Sequence, residues 1–243
     1  MKISIITVSF NSEETITQTI ESVLNQTYDN IEYIIVDGAS ADKTVQIAES
    51  YCEKFAVRGI EYRMVSEPDK GIYDAMNKGI GIASGKVVGM INSDDWYEID
   101  ALEKVAAAYE RTHFDVIFAT VRIHTNKAAF LKKPKIRRYI SSRHWNHPTM
   151  FVAKSVYNQE LYALDNIYDD FDFYLRMRKQ NRNIVTIDDV LANFRFGGIS
   201  NQKTLSSALK RAKIQYVVYR KNGYGRLYYF ECLGKELAKI IVS

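Results

Sequence analysis

Two adjacent carboxylates, Asp94 and Asp95, follow directly after an apolar stretch over residues 86–91 that has the composition of a buried strand. Charged groups are costly to bury without a partner, so carboxylates collected where a buried strand reaches the surface are typical of cation binding. The pair therefore predicts a site for a divalent cation.

Acidic residues also follow two earlier apolar stretches. Asp37 comes after residues 31–36, and Glu67 and Asp69 come after residues 60–66. In an open parallel sheet, the carboxyl ends of the strands form the edge at which ligands bind. The acids are therefore expected at one edge of a sheet, where they predict an enzyme that binds a metal ion and a polar, phosphorylated ligand.

The first 120 residues alternate between strand and helix patterns. This order predicts an α/β fold with a Rossmann-like, mostly parallel, doubly wound sheet. The pattern changes after about residue 120, where two strands and then helices are expected. The predicted strands are 3–9, 31–36, 60–66, 86–91, 114–119, 121–133 and 148–153, and the predicted helices are one that follows Ser12 and extends to Leu24, 43–55, 72–83, 98–111, one that begins at 169, 203–222 and 225–241.

The composition narrows the class of protein. A net charge of +4 over 243 residues permits an anionic ligand but is not typical of nucleic-acid binding. Cys52 and Cys232 provide neither a disulfide framework nor zinc spacing, which favours the reducing cytoplasm. No apolar run approaches the roughly 18 residues of a membrane span. We therefore expect a soluble cytoplasmic protein that does not bind nucleic acid.

Seven short motifs occur in order along the chain: Thr7 to Asn11, Val36 to Asp42, Glu67 to Asn77, Asn92 to Asp95, His147 to Phe151, Asp169 to Asp172 and Gly197 to Ser200. Together they closely resemble family 2 glycosyltransferases with the GT-A fold, in the bacterial surface-polysaccharide branch. The resemblance covers roughly residues 1–200 and implies a catalytic domain there, with a nucleotide-sugar half over 1–120 and an acceptor half over 121–200. A C-terminal helical extension would then occupy residues 201–243.

The donor of such enzymes is a nucleoside diphosphate sugar, whose diphosphate gains negative charge as the sugar leaves. The resemblance implies Mn²⁺ or Mg²⁺ as a cofactor held by carboxylates. We expect Asp95 as the first metal ligand, with Asp94 reaching the metal or the ribose. Asn92 stands where the common Asp-x-Asp pattern has its first acid, so it can accept a hydrogen bond from the ribose but brings no charge.

Other donor-binding residues are implied at the ends of the first two strands. Asp37 is expected to accept a hydrogen bond from the base, and the alternative is that it caps the helix over residues 43–55. Thr7 and Phe10 are expected to line the base pocket, although Thr7 also fits a plain strand position.

The loop after the third strand carries a further part of the resemblance. One of Glu67 and Asp69 is expected beside the nucleotide, and Lys70 is expected to face the pyrophosphate. The alternative is a Pro-Asp turn with a solvated lysine, which explains Pro68 and Gly71 but not the rest of the motif.

Transfer needs a base, because a sugar hydroxyl is a weak nucleophile until a carboxylate takes its proton. Asp170 matches the catalytic position of the family, and Asp169 and Asp172 compete with it for that role. The alternative is that these acids simply favour the N-terminus of a helix. Family members invert the anomeric centre, which implies a single displacement.

Three residues are implied on the acceptor or diphosphate side. Trp145 fits either stacking on a sugar or covering the core, and His147 is expected to reach the diphosphate or the acceptor. Arg195 is expected, with Gly197 and Gly198, in a loop that closes over the diphosphate, whereas a glycine pair alone also marks a tight turn.

Two further features favour a membrane or lipid partner. The basic loop 132–138 predicts contact with a lipid diphosphate or a membrane surface, with a solvated loop as the alternative. The helix over 225–241 has an apolar stripe that fits a membrane, a second subunit in a homodimer, or the catalytic domain. The stripe consists of Leu227, Phe230, Leu233, Leu237, Ile240 and Ile241.

Together these features predict an inverting glycosyltransferase that moves a sugar from a UDP-sugar to a glycan or lipid-linked acceptor in cell-surface polysaccharide biosynthesis, at the inner face of the plasma membrane. A nucleotidyltransferase is one alternative, but it would need a Gly- and Arg-rich loop where this chain has Ser9 to Glu14. A non-catalytic nucleotide-sugar-binding protein of the same fold is the other alternative. Asn92 favours it, and Asp94, Asp95 and Asp170 oppose it.

Overall fold

The structure, a computed structural model, describes residues 1–196 and 204–241, with the side chains of all but the last three of these residues. The described chain forms two compact units. The first combines Met1–Leu161 with Asn183–Phe196, and the second combines Tyr162–Arg182 with the C-terminal segment from residue 204 onward. The segment from Tyr162 to Arg182 therefore groups with the C-terminal helices, although the sequence analysis placed it in the acceptor half.

The first unit is built around a mixed sheet, which confirms the predicted α/β class. In the described part of this unit the strand order is β3-β2-β1-β4-β8-β6-β9-β5, and β7 pairs with β6. The strands are β1 (Ile3–Ser9), β2 (Ile31–Asp37), β3 (Glu61–Ser66), β4 (Val87–Met90), β5 (Trp96–Tyr97), β6 (Val116–His124), β7 (Ala129–Lys132), β8 (Phe151–Ala153) and β9 (Ile184–Arg195).

The half of the sheet formed by β1 to β4 is parallel, as predicted. β1 pairs with β2 and β4, and β2 pairs with β3, all in parallel register. Every residue of β1, β2 and β4 is buried, as expected for strands whose two faces are covered. The carboxyl ends of these strands therefore meet at one edge and bring together the segments that follow Ser9, Asp37, Ser66 and Met90.

The other half of the sheet departs from the predicted mostly parallel arrangement. β8 runs antiparallel to both β4 and β6, and β9, which the sequence analysis did not predict, is parallel to β6. Gly89 permits the close packing of β8 on β4, because a Cβ atom there would lie 2.3 Å from the Phe151 ring. The predicted strand 121–133 is a hairpin of β6 and β7, whose turn is closed by a hydrogen bond from the Thr125 amide to the Ala128 carbonyl.

Helices cover the sheet and form the second unit. The predicted helix 43–55 is interrupted at Ser50, whose hydroxyl donates to the Ile47 carbonyl and competes with the helical hydrogen bonds. The helices are α1 (Ile16–Leu24), α2 (Thr44–Glu49), α3 (Cys52–Arg58), α4 (Ile72–Ile82), α5 (Ala101–Thr112), α6 (Lys154–Tyr157), α7 (Asp169–Lys179), α8 (Leu205–Lys221) and α9 (Tyr228–Ile241), with a short 3-10 turn over His147–Thr149.

The α8–α9 hairpin, residues 205–241, buries a different face of α9 from the apolar stripe of the sequence. The buried residues of α9 include Cys232 and Glu236, and Glu236 pairs with Arg211 of α8 at 2.7 Å. Leu227 and Phe230 of the stripe are 79% and 69% exposed. Leu233 and Leu237 of the stripe are half-buried, so the described part of the stripe is only partly covered.

The helices of the described residues do not reach across a membrane, because none combines the length and the apolar character that crossing a bilayer requires. The side chains of Ile240 and Ile241, which the sequence analysis assigned to the stripe of α9, lie outside the described part.

Candidate active site

The segment Asn92–Asp95 begins two residues after β4 and forms a tight turn. The Asp95 amide donates to the Asn92 carbonyl at 3.1 Å. The hydroxyl of Thr19, on α1, donates to the Asp95 carbonyl at 2.6 Å and fixes the turn against that helix. Thr19 lies inside a helix pattern, so no signal in the sequence pointed to this role.

Asp95 is fully buried, yet its carboxylate is only half satisfied. One oxygen accepts the backbone amide of Arg195 at 3.0 Å, and the other has no hydrogen-bond partner among the described residues. Burial, and then the adjacent charge of Asp94, raise the pKa of Asp95 well above its ordinary value, while the Arg195 amide and guanidinium act in the opposite direction. A buried carboxylate oxygen without a donor is costly, and a bound cation would remove that cost.

Arg195 joins the end of β9 to this turn, which brings together three of the predicted site residues. Its Nε donates to the Asp94 carbonyl at 3.3 Å, and its guanidinium lies 5.4 Å from the centre of the Trp96 ring. Asp94 itself is half-buried, and its burial is the main cause that raises its pKa. Of the two acids, Asp94 is the more accessible to solvent.

The donor atoms of the turn fit a divalent cation that takes its other ligands from a substrate. The side-chain oxygen of Asn92 is buried and, like one oxygen of Asp95, has no partner in the described part of the chain. No group of three or more His, Cys, Asp or Glu side chains within residues 1–196 and 204–241 is placed to hold a metal ion. Mg²⁺ is commonly held by one or two carboxylates together with substrate phosphates and water, and that mode suits this turn.

Asp37 lies at the end of β2 with both carboxylate oxygens engaged. It accepts hydrogen bonds from the hydroxyls of Ser9, Ser40 and Ser66 and from the Ser40 amide. These partners tie together the ends of three neighbouring strands. The capping alternative fails, since Asp42 and not Asp37 accepts the amide of Thr44 at the start of α2.

Phe10, Gly38 and Asp69 form a rim where β1, β2 and β3 end. The ring of Phe10 is 63% exposed, which is unusual for a large aromatic side chain. A Cβ atom at Gly38 would lie 2.6 Å from an Asp69 carboxylate oxygen and 3.4 Å from the Phe10 ring. Glycine therefore allows the acid and the aromatic ring to approach each other across the strand ends, a requirement that the sequence alone did not show.

The other residues predicted beside the donor occupy less suitable positions. Thr7 is fully buried and accepts a hydrogen bond from the Tyr33 hydroxyl at 3.0 Å, which favours its interpretation as a strand residue. Glu67 is exposed and pairs with Lys78 at 2.8 Å, so Asp69 is the better candidate of the two acids. Lys70 is exposed, and its amide donates to Asp74.

The residues predicted on the acceptor side are mostly covered. Trp145 is 6% exposed and packs edge-on against Phe118, with ring centres 5.9 Å apart. His147 is half-buried and lies edge-on to Trp145. The structure thus favours Trp145 as a core-covering residue. The segment Gly197–Ser200 lies outside the described residues.

Asp170 lies in the first turn of α7, in the second unit, with the two acids that compete for its role. Asp169 is fully buried and accepts the amides of Asp165 and Asn166. Asp172 is also buried and accepts hydrogen bonds from Arg176 and Asn222. Asp170 is half-buried, and one of its oxygens accepts the Phe171 amide at 2.7 Å. The competitors have structural roles, which leaves Asp170 as the most accessible acid of the turn.

Comparison with known proteins matches the chain to one enzyme family. A sequence model of the family described as glycosyl transferase family 2 matches residues 4–166. A PGL/p-HBAD biosynthesis glycosyltransferase of Mycobacterium bovis is 30% identical over 215 residues, which cover 86% of this chain and 82% of that protein. An uncharacterised glycosyltransferase EpsJ of Bacillus subtilis is 26% identical over 70% of this chain and 52% of that protein.

Solved structures give the same fold. Residues 1–349 of S. aureus TarS, crystallised with UDP-GlcNAc, superpose with a TM-score of 0.66 at 19% identity, over 100% of this chain and 73% of that chain. The mannosyltransferase PcManGT of Pyrobaculum calidifontis, in complex with GDP-Man and Mn²⁺, superposes with a TM-score of 0.69 at 14% identity, over 99% of this chain and 74% of that chain. The predicted GT-A fold is thereby confirmed.

Proposed function

This chain belongs to glycosyltransferase family 2, and from that membership we propose that it transfers a sugar from a UDP-sugar to a glycan or lipid-linked acceptor in the biosynthesis of a surface polysaccharide. The observation that carries the proposal is the half-satisfied carboxylate of Asp95 at the strand edge where ligands bind. The likeness to TarS, crystallised with UDP-GlcNAc, supports the choice of a UDP donor. The similar PGL/p-HBAD biosynthesis glycosyltransferase of Mycobacterium bovis supports a role in biosynthesis.

The nucleoside of the donor would bind at the rim formed by Phe10, Gly38 and Asp69. The exposed Phe10 ring offers a flat apolar face to the base, and Asp69 offers an acceptor for base or ribose groups. Asp37 lies behind this rim, where its three serine partners can rotate their hydroxyls, so its proposed hydrogen bond to the base would replace one of theirs.

The diphosphate would bind at the Asn92–Asp95 turn together with Mn²⁺ or Mg²⁺. Asp94 and the free oxygen of Asp95 would hold the cation, and the side-chain oxygen of Asn92 would accept from the ribose or from metal-bound water. When bound, the cation neutralises the charge that develops on the diphosphate as the sugar departs. The guanidinium of Arg195, anchored on the Asp94 carbonyl, adds a second positive charge at this edge.

Asp170 is the proposed base. Its carboxylate would take the proton of the acceptor hydroxyl while the hydroxyl oxygen bonds to the anomeric carbon and the bond from that carbon to the diphosphate breaks. A single displacement of this kind inverts the anomeric centre and leaves no sugar on the enzyme. The family position and the structural engagement of Asp169 and Asp172 support this assignment.

The donor can be identified by a screen of nucleotides. The proposal predicts that UDP with Mn²⁺ raises the Tm of the protein, that GDP and dTDP raise it less, and that EDTA removes the UDP effect, because a ligand that binds only the folded state stabilises it. Thermal shift measures this directly. A larger shift with GDP would identify a GDP-sugar as the donor. If no nucleotide gave a metal-dependent shift, the proposed donor site would be wrong.

Replacing Phe10 with Ala should weaken UDP binding about tenfold without loss of stability. Stacking of a base on an aromatic ring is worth about 1–3 kcal/mol, and Phe10 is too exposed to stabilise the core. Calorimetric titration with UDP and Mn²⁺ measures the affinity. Val57→Ala, at an apolar side chain that is 90% exposed on α3, is the control and should leave the affinity unchanged. Equal affinities for both variants would place the base elsewhere.

The α8–α9 hairpin is proposed to bind an anionic membrane surface. Residues 201–243 contain nine Lys or Arg but two Glu, whereas the whole chain has 33 against 29 acidic residues. On α8, exposed lysines lie among exposed apolar side chains. Leu227, just before α9, and Phe230, in its first turn, are also exposed. Two such basic surfaces would repel each other in a symmetric dimer, so an anionic bilayer is the better match.

This surface predicts selective binding to phosphatidylglycerol vesicles over phosphatidylcholine vesicles. Leu227→Ser together with Phe230→Ser should lower vesicle binding at least about tenfold, since burial of one large apolar side chain is worth about 1.5–3 kcal/mol. Cosedimentation provides the measurement. Ile99→Ser, at a residue that is 61% exposed in the first unit, is the control. A stable dimer in solution that binds neither kind of vesicle would contradict this part of the proposal.

A further inference from the structure

A pocket of about 600 Å³ lies beside the hairpin of β6 and β7. It is formed by the end of β7, the chain that follows it and the segment before the turn at His147. Part of it coincides with the basic loop 132–138. The residues that line it are Phe130, Leu131, Lys132, Lys133, Lys135, Arg143 and His144.

The pocket carries positive charge that is only partly compensated. Four of its lining residues are Lys or Arg, and none is acidic. Lys132 donates to the Trp145 carbonyl at 3.0 Å, and Lys133 pairs with Asp188 at 2.9 Å. Within the described residues, the side chains of Lys135 and Arg143 form no ion pair. Two cationic groups therefore remain available to an anion that enters the pocket.

Hydrogen bonds join the two segments that form the walls of the pocket. The Lys135 amide donates to the His144 carbonyl at 2.7 Å, and the buried Asn146 side chain donates to the Lys132 carbonyl at 3.0 Å. The same Asn146 amide group donates to the Ala119 carbonyl in β6 at 2.9 Å. The basic groups thus project from a tethered structure, so less conformational entropy is lost when they bind a ligand.

The register of the sheet connects this pocket to the proposed donor edge. Phe130 of β7 lies opposite Ile123 of β6, one residue before His124. The His124 ring lies 4.8 Å from the ring of Trp96, which follows Asp95. The hairpin that forms one wall of the pocket therefore also carries the His124 ring, which contacts Trp96 beside the turn proposed to bind the diphosphate.

We propose that this pocket binds the phosphate or diphosphate group of an amphiphilic acceptor, and that Phe130 and Leu131 contact its apolar chain. These two side chains are 52% and 53% exposed, and they combine with Lys135 and Arg143 to match a ligand with an anionic head and an apolar tail. The role of this ligand as the acceptor rests on the proposed function. The binding itself does not, because it requires neither the donor nor a metal ion.

Calorimetric titration with farnesyl diphosphate, in buffer that contains EDTA and no nucleotide, tests the pocket separately from the donor site, because that site is proposed to need a cation to bind a diphosphate. The wild type should bind farnesyl diphosphate more tightly than inorganic pyrophosphate. Lys135→Glu with Arg143→Glu should lower the affinity at least tenfold, and Lys135→Gln with Arg143→Gln should lower it by a smaller factor. Lys127→Glu, at the exposed turn of the same hairpin, should change it less than twofold.

The two proposals can be tested separately, because UDP with Mn²⁺ should raise the Tm of the Lys135 and Arg143 variants as much as it raises the Tm of the wild type. Absence of farnesyl diphosphate binding, an unchanged affinity in the charge-reversal variant, or displacement of the lipid by UDP would overturn the assignment of the pocket. Equal affinity for pyrophosphate and farnesyl diphosphate would show that the apolar chain makes no contact with the pocket, and that the pocket is a site for a free anion.

Discussion

Asp170→Asn should abolish sugar transfer while leaving donor binding intact. An amide of the same shape cannot take the proton of the acceptor hydroxyl, and loss of a positioned base lowers the rate of such steps about 10²–10⁴-fold. The substitution should reduce the slow hydrolysis of the UDP-sugar by a similar factor, because water then replaces the acceptor as the nucleophile. Calorimetric titration with UDP and Mn²⁺ should give the wild-type affinity, because Asp170 has no proposed role in holding the nucleotide.

The neighbouring acids provide the control for this prediction. Asp172→Asn should lower the Tm by several degrees, because it removes a buried charge that Arg176 and Asn222 depend on, and such a loss costs about 1–3 kcal/mol. Its activity per folded molecule should exceed that of Asp170→Asn. If Asp172→Asn instead inactivates the enzyme without loss of stability, and Asp170→Asn retains hydrolysis, the assignment of the base is wrong.

Asp95→Asn should inactivate the enzyme and at the same time stabilise the metal-free protein. In the absence of a cation, the substitution replaces a buried charge that has one unpartnered oxygen with a neutral amide, which costs less to bury. We expect a gain of about 1 kcal/mol, or roughly 2–4 °C in Tm, measured in EDTA at neutral pH. Activity should fall more than about 100-fold, because a ligand of the proposed cation is lost.

The pH dependence of stability gives this prediction a second readout. Because burial raises the pKa of Asp95, the folded protein binds more protons than the unfolded chain between the ordinary and the raised pKa. The free energy of unfolding of the metal-free wild type should therefore fall as pH increases through that interval. Asp95→Asn should lack this decrease. Urea unfolding at several pH values measures it, and parallel profiles for the two proteins would show that Asp95 does not carry the buried charge.

The parallel half of the sheet and the acids at its edge were predictable, because local patterns determine them. β1, β2 and β4 are buried, largely apolar runs, and an acid at the end of such a run emerges at the carboxyl end of the strand. β9 was not predictable in the same way. Its sequence contains Asp188 and Asp189, and its pairing with β6 is interrupted by register shifts near Thr120. Its position depends on contacts between residues far apart in the chain.

The structure of α9 shows a different limit. The sequence places an apolar stripe along this helix, and a stripe is normally buried. The structure buries Glu236 instead, since Arg211 of α8 supplies the opposite charge. Likewise, the close approach of Asp69 to Gly38 depends on how two loops meet and cannot be inferred from either loop alone. The burial of Glu236 and the approach of Asp69 to Gly38 both depend on contacts between residues that are far apart in the sequence.

The most direct test of the account is the affinity for Mn²⁺ in the presence of saturating UDP, compared between the wild type and Asp95→Asn by calorimetry. The account predicts one Mn²⁺ per chain in the wild type, an affinity that depends on UDP because the protein offers too few ligands alone, and a loss of at least tenfold in the variant. Equal affinities in the two proteins, or no uptake of Mn²⁺ by the wild type with UDP, would contradict the proposal that the turn at Asn92–Asp95 binds the metal and the diphosphate.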